Sequence, residues 1–132
     1  MFVDASALVA ILTSEKDAPD LLRHLDGSTV RVTSAMAVWE ASIAVARALD
    51  EPVWQAEMEI AGLLTTLEIE SVAIPPAAAH GALAAFEQYG KGRHAARLNF
   101  GDCFAYACAK QFGLRLFYKG DDFALTDMRL DP

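Results

Sequence analysis

A chain of 132 residues, 54% hydrophobic and 22% charged, is long enough for one buried core and too apolar to be disordered. Its net charge of −7 opposes nucleic-acid binding in bulk, so any polyanion partner needs a local basic patch or a bound cation. No apolar run approaches the roughly 20 residues that span a bilayer, and no basic stretch leads into an apolar export signal, so a cytoplasmic protein with no membrane contact is expected.

Met1–Asp4 reads as a short buried strand, followed by a helix to about Ser14 and a second helical piece over Asp17–Leu25. Thr29–Thr33 is β-branched in four of five positions and predicts a second strand. Ser34 caps a long helix to about Leu49, and Glu51-Pro52 opens another that carries Val53, Ile60, Leu63, Leu64 and Leu67. Ile69–Ile74 predicts a third strand, closed by Pro75-Pro76 before an Ala-rich helix to about Tyr89. The stretch "GKGRHAARLN" over Gly90–Asn99 is a polar, basic loop. A helix from Gly101 to Phe112 ends at Gly113, Leu116–Tyr118 is a fourth strand, and Met128–Leu130 is a candidate edge strand. Strands alternating with helices imply one α/β domain over residues 1–132 with a parallel sheet. The site of such a sheet lies at the carboxyl ends of its strands.

Four places carry an acid in apolar surroundings. Asp4 ends the first strand, and Glu40 shares the helix Ala35–Leu49 with only one other charge, Arg47. Seven residues separate those two, about 10.5 Å along a helix, a long reach for an ion pair. A helix this apolar is expected to be buried all round, Trp39 included, which favours core packing over base stacking for that ring. Asp102 opens the helix containing Cys103, Phe104, Tyr106 and Cys108, where the helix dipole alone would favour an acid. Asp121 and Asp122 follow the fourth strand, where a turn would explain them equally well. Converging carboxylates without a cation repel and raise one another's pKa. Oxygen-only ligation selects Mg²⁺ or Mn²⁺, and carboxylate-held ions of this kind activate water for phosphodiester hydrolysis. Cys103 and Cys108, five apart, suit neither an intrahelical disulfide nor a zinc site, so two buried thiols are expected.

The stretches "FVDASALVAIL", "WEASIA", "GKGRHAARLNFGDCFAYACAK" and "LFYKGDDFALTD" resemble the PIN-domain ribonucleases, in particular VapC-type toxins of type II toxin–antitoxin modules. The resemblance runs over nearly the whole chain. It implies a PIN-like α/β/α sandwich whose central parallel sheet has four to five strands. It carries the family's acids onto Asp4, Glu40 and Asp102. The fourth acid lies in Gly120-Asp121-Asp122, where both aspartates are candidates and Asp122 directly precedes Phe123. Ser6 matches the small hydroxyl residue that supports the first acid. The resemblance further implies metal-dependent cleavage of RNA, with structured RNA such as tRNA as substrate, a homodimer, and a cognate VapB-type antitoxin.

Lys91, Arg93, His94 and Arg97 form the one dense basic segment, with Lys110, Arg115 and Lys119 further on, and are the candidate RNA-binding residues. His94 as general acid is less favoured, because a metal-held water needs no histidine, and His24 and His80 read as surface residues. Two other readings compete. In one, a non-catalytic α/β domain uses its acidic pocket to dock a basic partner. In the other, Asp4 is a phosphoacceptor, which the serine two positions on disfavours.

Overall fold

The computed structural model describes residues 1–128. Its order is β1 (Phe2–Val3), α1 (Ala5–Leu12), α2 (Ala18–Asp26), β2 (Val32–Ser34), α3 (Ala35–Leu49), α4 (Val53–Thr66), β3 (Glu70–Val72), α5 (Ala78–Tyr89), α6 (Phe100–Phe112) and β4 (Leu116–Phe117). The four strands pair in parallel in the order β3-β2-β1-β4. Phe2 stands opposite Val32 on one side and Leu116 on the other, which places β1 in the middle of the sheet.

Strand alternation builds two cores from adjacent residues. Phe2 and Leu116 pack with Ala82, Ala85, Tyr106 and Cys108, the inner faces of α5 and α6. Val3 and Phe117 pack with Leu8, Leu25, Val45 and Ile60 of α1 to α4. The result is the expected α/β/α sandwich. Four strands are formed among the described residues. Met128 of the candidate edge strand lies in a turn, and Arg129 and Leu130 fall outside the described residues.

Three expectations need correction. The third strand spans only Glu70–Val72 of the expected Ile69–Ile74. The second strand starts at Val32, three residues later than its β-branched composition suggests. The Ser28 hydroxyl donates to the Val30 carbonyl and the Arg31 guanidinium to the Ser28 and Leu67 carbonyls, so side-chain bonds hold this stretch beside the few main-chain ones, such as Glu70 N–H to the Arg31 carbonyl. Trp39 is 66% exposed rather than core. α3 buries the narrow face of Ala37, Ala41, Ser42, Val45 and Ala46, and Trp39 lies off that face. Both cysteines are free and buried, and no helix among the described residues is long and apolar enough to cross a membrane.

Candidate active site

The carboxyl ends of β1 and β4 meet the sides of α1, α3 and α6 around a cavity of about 420 Å³. Asp4, Ser6, Glu40, Asp102, Glu15 and Lys119 line it. Each acid arrives there for a local reason. Asp4 is the first residue after β1 and caps α1, its Oδ2 accepting from the Ser6 N–H at 2.9 Å and the Ser6 hydroxyl at 2.5 Å. The Ser6 Oγ in turn accepts from the Lys119 N–H just beyond β4 at 3.0 Å, so one hydroxyl joins two strand ends. Asp102 belongs to a capping box: its Oδ2 accepts from the Asn99 N–H and its own N–H donates to the Asn99 Oδ1, both at 2.9 Å. Glu40 projects from α3, whose cap is Ser34.

The electrostatics follow from that crowding. Asp4 is 4% exposed; burial raises its pKa, Ser6 pulls it back, and the charge of Asp122 raises it further. Burial, then the charges of Asp4 and Asp102, push Glu40 up to about 7. Asp102 rises to about 6 through burial and the charges of Asp4 and Asp122, against the Asn99 N–H that lowers it. No ion pair among the described residues reaches Asp4, Glu40 or Asp102. Lys119, the cation on the cavity wall, is turned to Glu15 and to Asp17.

Asp4, Glu40 and Asp102 are therefore brought together. Asp121 and Asp122 are exposed and do not line the cavity, but the charge of Asp122 is felt at both Asp4 and Asp102. Among the described residues, no three His, Cys, Asp or Glu side chains stand close enough together to hold a metal ion as they are placed. The acids share a cavity whose unbalanced negative charge and all-oxygen donors fit a hard divalent ion. Cys103 is buried, and burial and the Asp102 charge push its thiol up to about 11, which disfavours the thiolate.

The basic segment is exposed but does not line the cavity. Arg93 pairs with Glu87 at 3.2 Å and lies over the Phe86 ring at 5.4 Å. His94 packs edge-on to Tyr89, and its Nδ1 accepts from the Ala96 N–H, so its exposed ring is held within the loop. The segment ends at Asn99, so it leads directly into the cap that holds Asp102. Lys110 is held by Asp127 at 2.5 Å. Sequence reasoning missed Gly101, where an added Cβ would run into the Glu40 carboxylate. The available signal was a glycine in the first turn of a helix, where alanine is the better helix former.

The PIN domain family matches residues 1–128. The chain belongs to the PIN-domain family. The PIN-domain sequence is 41% identical to a ribonuclease VapC of Mycolicibacterium smegmatis over 128 residues, covering 97% of each chain. It is 38% identical to ribonuclease VapC30 of Mycobacterium tuberculosis, over 97% of this chain and 95% of that one. Among solved structures, Mycobacterium tuberculosis VapC20, a toxin that cleaves the sarcin-ricin loop, matches with a TM-score of 0.70. That match covers 93% of this PIN domain and 92% of VapC20 at 16% identity, a likeness of fold.

Proposed function

We propose that this PIN domain is a Mg²⁺- or Mn²⁺-dependent endoribonuclease and the toxin of a VapBC-type pair, acting on structured RNA such as tRNA. The observation that carries the reading is the meeting of Asp4, Glu40 and Asp102, from three elements, in one cavity without a cationic partner among the described residues. Their number and chemistry suit an ion held by Asp4, Glu40 and Asp102, with Asp122, or in its place Asp121, as the fourth acid. When bound, the ion supplies an activated water and charge stabilisation at the scissile phosphate. Ser6 keeps the Asp4 carboxylate oriented, and Asn99 does the same for Asp102. RNA phosphates would meet Lys91, Arg93, His94 and Arg97, the local exception to a net charge of −7.

A homodimer and a VapB-type antitoxin both need apolar surface, and two stretches among the described residues expose it most. Leu83, Phe86 and Phe100 edge a groove between α5 and α6, and Trp39, Trp54 and Met58 stand out from α3 and α4. The compartment that goes with this reading is the cytoplasm.

Purified protein should cleave total or transfer RNA with Mg²⁺, and cleavage should vanish with EDTA or with Asp4→Ala. Equal cleavage in all three would overturn the reading. Calorimetric titration with Mn²⁺ separates it from a docking domain whose acids receive a basic partner, because the docking domain has no saturable divalent-ion site.

A further inference from the structure

We propose that Gly101 is a positioning residue, its missing side chain being the seat of the Glu40 carboxylate against the first turn of α6. The inference rests on the metal-dependent nuclease reading and adds a residue to it. Gly101 is buried in that turn, one position before Asp102. Its backbone does not require glycine: the glycines with positive φ are Gly92, Gly113 and Gly120. Alanine would be the better helix former there.

Space supplies the reason for glycine. A Cβ on Gly101 would fall under 3.0 Å from both Glu40 oxygens and from its carboxyl carbon. The other helical glycines differ. A Cβ on Gly62 would meet nothing within 4 Å, and one on Gly81 would meet the Ala107 Cβ at 3.2 Å. Only at Gly101, among these three, is the obstacle a carboxylate of the site. The obstacle is also the tip of a flexible side chain, so the fold can absorb a methyl group by turning Glu40 aside. Glu40 then leaves Asp4 and Asp102. A single added carbon should therefore disable the site while the domain stays folded.

The experiment compares wild type, Gly101→Ala, Glu40→Gln, the double variant, and Gly62→Ala as a control. Three readouts serve: a metal-free crystal structure, Mn²⁺ binding by calorimetry, and RNA cleavage. Gly101→Ala is expected to keep or raise the melting temperature and to show the Glu40 carboxylate displaced. It should weaken Mn²⁺ binding roughly 10–100-fold and slow cleavage on the order of 100-fold. Adding it to Glu40→Gln should cost nothing further, and Gly62→Ala should behave as wild type. In a Glu40→Asp background, whose carboxylate sits one methylene further back, the loss from Gly101→Ala should shrink, which a general packing defect would not do.

An undisplaced carboxylate, wild-type Mn²⁺ binding and cleavage in Gly101→Ala, or fully multiplicative losses in the double variant would overturn the proposal. A wild type that neither binds Mn²⁺ nor cleaves RNA would overturn the nuclease reading itself, and the role of Gly101 with it.

Discussion

Asp127 and Asp4 are both aspartates that accept from hydroxyl groups, yet they sit at opposite ends of an electrostatic scale. Asp127 accepts from the Tyr106 hydroxyl at 2.8 Å and from Lys110 at 2.5 Å. Burial pushes it up, but the Lys110 and Tyr106 donors outweigh that and hold its carboxyl below the usual range. Asp4 receives Ser6 and the Ala5 amide but no cation among the described residues, and burial together with the nearby Asp122 leaves its carboxyl above the usual range. One acid is neutralised within the fold and fastens the end of the described chain to α6. The other is kept with acids of its own sign, which costs stability and, on the proposed reading, prepares the cavity for a cation.

The sharpest way to break that contrast is Asp4→Ala, measured by RNA cleavage in Mg²⁺. The loss should exceed the roughly 100-fold that removing a residue supporting a metal ligand costs, whereas Asp127→Ala should lower the melting temperature with cleavage per folded molecule retained.

Next comes the pH dependence of stability without metal. Glu40 at about 7 and Asp102 at about 6 in the folded chain lie above their ordinary 4.5 and 3.8. The folded state therefore binds more protons than the unfolded one between those limits, and stability falls as pH rises through them. In EDTA, Glu40→Gln should stabilise the protein relative to wild type by about 1–2 kcal/mol at pH 8, after screening of a half-buried group is allowed for, and by nothing near pH 4. Thermal melts across that range check this, and excess Mn²⁺ should flatten the wild-type slope. A wild type whose stability in EDTA rises from pH 5 to 7.5 because of these acids would remove the stored repulsion.

A smaller effect is expected from Ser6→Ala, which keeps every charge and removes one orienting hydroxyl. Cleavage should drop about 10-fold or somewhat more, with about 1 kcal/mol of stability lost; denaturant unfolding and initial rates separate the two. The smallest change belongs to the basic loop. Replacing Lys91 and Arg97 by Ala should weaken RNA binding a few-fold and reduce the salt dependence by about one unit of slope per lost phosphate contact. Binding isotherms at several salt concentrations read that out, and an unchanged slope would remove this loop from the RNA surface.

Much of this was legible before any coordinates. Asp4 and Asp102 stand out because an acid interrupts apolar residues at an element boundary, and boundaries are written in short-range chemistry. Asn99 and Asp102 lie three apart, so their capping box is equally local, yet reading Asn99 as the end of the basic loop misses it. What stayed hidden depends on which faces meet. Trp39 could not be assigned to the outside while alanines flank the helix on several sides, since small residues suit core and surface alike. The pairing of Lys119 with Glu15 and Asp17 and of Lys110 with Asp127 joins distant segments, and it withdraws two cations that composition alone assigns to the rim. Gly101 is the clearest instance: its meaning appears only once α3 is seen to touch α6.

The Ser6 hydroxyl, held between a carboxylate at one strand end and an amide at another, makes a mechanical linkage of two segments 113 positions apart. Whatever prises the last strand from the first would swing the Asp4 oxygen with it. Lys119→Pro, which removes that amide donor, should thus slow turnover as well as loosen the end of β4.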